Sequence, residues 1–289
     1  MNILNLEFSG NTLRILQLSE NKKIITRDER KLSFNILTEQ TLKKKGEDLI
    51  SEFAGIIKNA LNDDLSEQRI TGILISTEQT FLNVFPVDFN EDQSSINSHI
   101  IWELSNYYPE TYKDFNIKYL RLSNNYFNDS IDEALLIAID KNVIGFIKTL
   151  CNGSNIKIRN IEIDQFAVEK CLKENHPQEL KENTILIIGC KTKRLDFSVI
   201  ADGYLKYYDY EIFEGKNLRN LLFRQMNFYI TGFPKIGKIY LYGEENTKQV
   251  RKYVDEAVGN KMSSLINYID GDNDVKFSAL YGLALKNLG

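Results

Sequence analysis

The sequence predicts an α/β protein of two like halves, with a small α+β subdomain inserted in the first. Three observations carry this. Short apolar strands alternate with amphipathic helices along the chain. A three-strand meander followed by a helix and a strand opens the chain, and the same order recurs from about Thr184 to Phe213 without any repeat of sequence. Residues 81–154 keep a rhythm of their own, strand–helix–strand–strand–helix. With 289 residues, 43% hydrophobic and 26% charged, the chain has ordinary globular composition and ample material for two lobes. It holds only 4 prolines and no Pro/Gly/Ser-rich linker, so an insertion within a compact body fits better than separate beads.

Taken in order, Ile3 to Phe8 reads as a strand, Ser9-Gly10-Asn11 as a turn and Thr12 to Leu18 as a second strand. Leu13 and Ile15 share one face of it, and Arg14, Leu16 and Leu18 the other. Asn21-Lys22 is another turn, and Lys23 to Leu32 returns as a strand. Glu47 to Leu61 is a helix because Leu49, Ile50, Phe53, Ile56, Ile57 and Leu61 fall at helical spacing. Ile70 to Ile75 is continuously apolar, as a buried parallel strand is. In the insert, a strand runs up to Pro86 and Ser94 or Ser95 caps a helix through Asn106. Strands follow at Phe115 to Leu122 and Ala134 to Ile139, then a helix from Val143 to Leu150 closed near Gly153.

The remainder has strands at Ile156 to Ile163, Thr184 to Gly189, Leu195 to Ala201, Tyr204 to Phe213 and Lys238 to Tyr242. Its helices are Gln165 to Leu172, Leu218 to Ile230, Thr247 to Val258 and Val275 to Leu285. The expected divisions are 1–80 for the first half, 81–154 for the insert and 155–180 for the return, then 181–274 for the second half and 275–289 for a closing helix.

Charge and cysteine usage narrow the function. Net charge is −4, and the Lys43-Lys44-Lys45 cluster reads as a solvated face, so nucleic acid is not an expected partner. Cys151, Cys171 and Cys190 are scattered and odd in number, which suits a reducing compartment rather than a disulfide framework. No apolar run approaches a membrane span, and the chain opens on a strand pattern rather than a signal peptide. A soluble, cytoplasmic protein is expected, reaching a membrane only through a partner. His99 and His176 stand apart with no metal-ligand spacing and read as surface or interface residues. Asp63-Asp64 reads as the end of a helix, and Asp270-Gly271-Asp272-Asn273-Asp274 lacks the downstream ligand of a calcium loop. No Ser-His-Asp, zinc or Walker signature is present.

Several stretches carry a family resemblance. Asn5-Leu6-Glu7-Phe8-Ser9-Gly10-Asn11-Thr12-Leu13-Arg14-Ile15 resembles the first phosphate loop of the PilM-type actin-like proteins of type IV pilus assembly. Phe85-Pro86, Ile101-Trp102-Glu103 and Tyr107-Tyr108-Pro109 resemble that family's inserted subdomain. Ala134-Leu135-Leu136-Ile137-Ala138 and Ile161-Glu162-Ile163-Asp164-Gln165-Phe166-Ala167 resemble the return from it. Ile239-Tyr240-Leu241-Tyr242-Gly243 resembles the strand and turn that meet adenosine, and Ala279-Leu280-Tyr281-Gly282-Leu283-Ala284-Leu285 the closing helix. The resemblance spans nearly the whole chain and implies an actin-like fold of two ribonuclease-H-like halves.

It also implies a nucleotide apparatus, and here this chain departs from the pattern. Two glycine-containing hairpins should aim backbone N–H groups at phosphates, with carboxylates holding hydrated Mg²⁺. In the first hairpin the family's glycines fall at Asn5 and Ser9, with Gly10 one place later, its Asp at Glu7 and its lysine-like residue at Arg14. Asn11 completes that turn. In the second hairpin Gly189 and the hydroxyl of Thr192 remain, but the Asp falls at Ile187. Lys191 and Lys193 replace small residues there and read as a solvated turn.

Gly243-Glu244-Glu245 replaces a glycine-rich run with carboxylates that repel a polyanion. Glu214-Gly215 stands where paired glycines are expected, and the helical layer after it is missing. The resemblance with these losses implies a pseudo-ATPase that needs no cofactor and scaffolds by binding the cytoplasmic tail of a membrane-anchored, PilN-like protein. Ser76 to Phe85 and the helix Ile96 to Asn106 would form the groove, with Thr80, Phe81, Val84, Phe85, Trp102 and Tyr107 as candidate contacts. Crowded aromatics, Trp102 to Phe115 and Tyr204 to Phe213, fit either an interface or core filling. The alternatives are a working actin-like ATPase that binds Mg-ATP between its halves, with Glu7 as the carboxylate and Lys191 or Lys193 on phosphate, and self-assembly into a homo-oligomer.

Overall fold

The computed structural model describes residues 2–36, 46–63, 65–122, 132–214, 217–233, 236–244, 246–259, 263–266 and 274–288. Lys43-Lys44-Lys45, Asp64, Gly215, Lys216, Glu245 and Asp270-Gly271-Asp272-Asn273 lie outside those residues. The chain divides into two compact units, residues 1–80 with 139–171 and 279–289, and residues 81–138 with 172–278.

The first unit is built on a five-stranded sheet in the order β3-β2-β1-β4-β8. Its strands are β1 (Ile3–Ser9), β2 (Thr12–Leu18), β3 (Ile24–Lys31), β4 (Arg69–Ile75) and β8 (Ile156–Ile163). β1, β2 and β3 form an antiparallel meander, while β4 runs parallel to β1 and β8 parallel to β4. Helix α1 (Glu47–Leu61) covers one face of this sheet. Phe53 and Ile57 from its apolar stripe enter the core with Leu4, Leu6, Phe8, Ile73 and Ile75. The helix ends where Asn62 turns into the left-handed region, and Asp63 beyond it accepts from the Leu65 N–H at 2.8 Å.

Helix α3 (Lys141–Gly153) packs into the same core through Val143, Phe146, Ile147, Leu150 and Cys151. The sequence reading carried the insert to residue 154. The helix belongs instead with the first sheet, because its apolar stripe enters the same core as that of α1, on the face that carries Leu4, Leu6 and Phe8.

The second unit holds a sheet of the same plan, β11-β10-β9-β12-β13. β9 (Thr184–Cys190), β10 (Arg194–Ala201) and β11 (Tyr204–Ile212) form the meander, and β12 (Ile236–Gly243) and β13 (Ser263–Leu265) add in parallel. Helices α6 (Leu218–Gly232) and α7 (Thr247–Val258) pack on it through Leu222, Met226, Tyr229, Val250 and Val254. The duplication expected from the order of elements is therefore a duplication of sheet topology.

The insert's own sheet runs β5-β7-β6, with β5 (Phe81–Pro86), β6 (Phe115–Leu122) and β7 (Glu133–Asp140). Helix α2 (Gln93–Tyr107) lies on it through Ile96, Ile100 and Leu104. The α2 cap is Asp92 and not Ser94 or Ser95: its carboxylate accepts from both their backbone N–H groups, at 2.8 and 3.1 Å.

Helix α4 (Asp164–Asn175) follows β8, and α5 (Pro177–Glu182) is a short helix the sequence reading missed, as it missed β13. The closing segment begins as a 3₁₀ turn at Val275–Phe277 and continues as α8 (Ser278–Leu288). Gly282 of α8 lies so close to α4 that a Cβ there would stand 2.1 Å from the Ala167 carbonyl oxygen.

Candidate functional site

The first hairpin is a two-residue loop between Ser9 and Thr12, which pair across β1 and β2. Gly10 leads it with φ +61°, in the left-handed region that a loop of this length demands of its first residue. Two strand positions back, Glu7 and Arg14 are cross-strand partners and both are buried. Arg14 Nη1 donates to Glu7 Oε1 at 3.0 Å, and its Nε donates to Glu29 Oε2 on β3 at 2.7 Å. The Glu7 carboxylate is thus held by a guanidinium within the sheet rather than presented as an isolated metal ligand. Removing one member of such a buried pair costs about 3–5 kcal/mol, because the other charge is left uncompensated.

Other groups close over this turn. The Leu32 N–H donates to the Asn11 carbonyl at 2.7 Å and the Ile36 N–H to the Gly10 carbonyl at 3.3 Å. Oriented as its neighbours require, with the amide nitrogen toward the Phe8 carbonyl and the oxygen toward the Gly10 N–H, the Gln79 side chain donates at 3.2 Å and accepts at 2.8 Å. Nothing in the sequence around Gln79 signalled this contact. It joins residues 69 positions apart (79 − 10) that only the parallel pairing of β1 with β4 brings together.

The second hairpin, between β9 and β10, is closed by the Lys191 N–H donating to the Arg194 carbonyl at 2.8 Å. Thr192 and Lys193 are exposed at its tip, but Lys191 is only 2% exposed. That corrects the expectation of a solvated lysine. Its ammonium lies 3.3 Å from the Tyr242 hydroxyl and 4.4 Å from the centre of that ring. Ile187 is buried on β9, so no side-chain oxygen replaces the expected carboxylate at that position.

The carboxylate of this hairpin is Asp196, which pairs with Gly189 across the strands and is fully buried. It accepts from Arg194 Nε at 2.8 Å and from the Tyr208 hydroxyl at 2.6 Å, while Arg194 Nη2 lies 2.7 Å from that same hydroxyl. The Arg194 guanidinium stacks 3.8 Å from the Tyr210 ring centre. Burial, then the nearby Asp196, pushes the Tyr208 phenol well above its ordinary range, so it stays a donor. Sequence reasoning missed Asp196, although a lone carboxylate flanked by Leu195 and Phe197 within an apolar strand was the available signal.

Gly243 ends β12 with φ +118°, and a Cβ there would meet the Cys190 carbonyl oxygen at 2.1 Å. The Glu244 N–H donates to that carbonyl at 2.8 Å and Asn246 Nδ2 donates to the Lys191 carbonyl at 3.0 Å, so this turn is fastened onto the second hairpin. Among the described residues no group of His, Cys, Asp and Glu is placed to hold a metal ion.

The six candidate contact residues differ in burial and in the unit that holds them. Thr80 belongs to the first unit, is buried, and donates its N–H to the Thr77 carbonyl at 3.1 Å. Phe85 is buried against α2, while Val84, next to it on β5, faces the other side of the sheet. Phe81 and Tyr107 meet at a tilt, 4.9 Å between ring centres, and the Tyr107 hydroxyl accepts from Asn83 Nδ2 at 3.0 Å. Trp102 is 59% exposed and Tyr107 54%, and Ile101 on the same helix is also exposed. His99 links the buried and exposed members, 5.6 Å from Phe85 and 5.9 Å from Trp102 between ring centres.

Two five-stranded sheets of identical order, one carrying an α+β insert, define an actin-like protein. The profile of the family described as Type IV pilus assembly protein PilM matches residues 5–252, and the chain belongs to that family. No curated protein sequence matches it. Among solved structures, the chain is similar to one from a PilM-PilN type IV pilus biogenesis complex, at 13% identity and TM-score 0.74, covering 99% of this chain and 98% of that one. A Bacteroides thetaiotaomicron protein of actin-like ATPase fold and unknown function matches at 10% identity and TM-score 0.59, covering 97% and 95%. The cytoplasmic domain of EpsL, an inner membrane component of the Vibrio cholerae type II secretion system, matches at 10% identity and TM-score 0.53, covering 99% and 95%. At these identities the likenesses establish the fold alone.

Proposed function

We propose that this PilM-family protein is a cytoplasmic scaffold of a type IV pilus or related secretion-like assembly machine. In this reading it sits at the inner membrane through a membrane-anchored, PilN-like partner whose cytoplasmic tail it binds, and it does not turn over ATP. The observation that carries the second half is the fate of the hairpin carboxylates. Glu7 is ion-paired with Arg14, Asp196 with Arg194, and Ile187 stands where the resemblance implies an Asp. A carboxylate engaged by a buried guanidinium is a poor ligand for hydrated Mg²⁺, because coordination must first break the pair. Support for the first half comes from membership of a pilus-assembly family and from the likeness to a PilM-PilN complex. No described helix is long and apolar enough to cross a membrane, which agrees with attachment through a partner.

The exposed Trp102, Ile101 and Tyr107 of α2 are the candidate contacts for that tail, since large exposed apolar side chains mark docking surfaces. The test is a thermal-shift titration of the whole protein with synthetic peptides covering the cytoplasmic tails of membrane proteins of the same assembly system, beside one with Mg-ATP. A ligand present at about 100 times its dissociation constant adds roughly 2.7 kcal/mol, several degrees in midpoint. A shift with a tail peptide, lost in Trp102→Ala, and none with millimolar Mg-ATP is the expected result. A Mg-dependent shift with ATP, or measurable hydrolysis, would sink the nucleotide half of this reading.

A further inference from the structure

We propose that Gln79 is a built-in occupant of the first hairpin's anion position, its side-chain amide taking the Gly10 N–H that a phosphate oxygen would otherwise accept. This deepens the reading of a nucleotide-free scaffold and rests on it.

The geometry is specific to an amide. The end of the hairpin offers a donor, the Gly10 N–H, and an acceptor, the Phe8 carbonyl, to the side chain of residue 79. Gln79 answers both, at 2.8 and 3.2 Å. A carboxylate would still accept from the Gly10 N–H but would repel the Phe8 carbonyl, and a methyl group would leave the Gly10 N–H unanswered and the carbonyl with the Ser76 N–H alone. The backbone delivering this side chain is itself anchored. Gln79 closes a 3₁₀ turn by donating its N–H to the Ser76 carbonyl at 2.9 Å. Ser76 in turn donates to the Phe8 carbonyl at 3.4 Å, and the Thr77 N–H donates to Asp164 Oδ1 at 3.2 Å. Gln79 is 8% exposed, so its contacts form with little competition from water. An incoming anion must displace the amide and leave its oxygen without a donor, a loss of roughly tenfold or more in affinity. The contact also holds the hairpin against the 3₁₀ turn that leads into β5.

The test is amide-resolved NMR on the ¹⁵N-labelled full chain, wild type beside Gln79→Ala and Gln79→Glu. In wild type the Gly10 amide exchanges slowly and does not move with millimolar Mg-ATP or magnesium pyrophosphate. In Gln79→Ala it should exchange roughly fivefold to tenfold faster, and its signal should move saturably with magnesium pyrophosphate. Gln79→Glu keeps an acceptor and should keep Gly10 protected and unresponsive, which separates occupancy from general loosening. A Gly10 amide in Gln79→Ala that stays protected, or does not respond to pyrophosphate, overturns this inference and leaves the scaffold reading standing. Movement of Gly10 in the wild type with Mg-ATP overturns both.

Discussion

Gly243 shows how much can rest on one missing atom. Its φ of +118° lies outside the range an L-residue adopts comfortably, and the space for a Cβ is filled by the Cys190 carbonyl. Gly243→Ala should therefore destabilise by at least about 2 kcal/mol, read as a lowered midpoint in denaturant at unchanged slope. The Arg194–Asp196–Tyr208 cluster responds in steps. Tyr208→Phe removes one neutral donor and should cost about 1–2 kcal/mol. Asp196→Ala leaves a buried guanidinium uncompensated and should cost about 3–5 kcal/mol.

The thiols add a pH dependence at the same scale. Burial pushes those of Cys151 and Cys190 up to about 12 from an ordinary 9.0. A raised folded value means the native state keeps its protons longer. The stabilisation is complete below the unfolded value of 9.0 and is lost as pH climbs toward about 12. The denaturant midpoint should fall as pH rises through that window, and less so in Cys151→Ala. At about pH 8 iodoacetamide should label neither thiol until the chain is unfolded.

At the scale of elements, the α2 cap gives a separate test. Asp92 accepts from two orphan N–H groups and from the Ser95 hydroxyl, and those bonds, the Ser95 N–H foremost, hold its carboxyl below the usual range. Asp92→Ala should lower the denaturant midpoint measurably and Ser94→Ala should leave it unchanged, which would confirm which residue is the cap. Elements with a strong period were legible. α1 and β2 lie where the spacing of Phe53 and Ile57, or of Leu13 and Ile15, put them. α5 and β13 were not, because six and three residues are too few to show a period. The ownership of α3 was equally hidden. Its stripe declares that one face is buried and says nothing about which sheet buries it.

At the scale of the molecule, two sheets with the same strand order carry the argument for the fold, and the insert's exposed aromatics carry the argument for a partner. Trp102→Ala together with Ile101→Ala should leave the unfolding midpoint within about 0.5 kcal/mol of wild type, as surface changes do. Binding of a tail peptide should weaken at least tenfold, measured by calorimetry. A double variant that binds normally would move the search for the docking surface elsewhere on the chain.

What the sequence determined by itself is the local grammar: where strands and helices form, and that the meander occurs twice. These follow from neighbours in the chain, whose spacing sets which side chains share a face. Tertiary structure alone decided the rest: that Lys191 lies under Tyr242, that Arg14 neutralises Glu7, that Asp196 sits against Gly189, and that Gln79 closes on Gly10. Each of these pairs is brought together by sheet register, and register is set by the burial of whole faces rather than by the residues it happens to juxtapose.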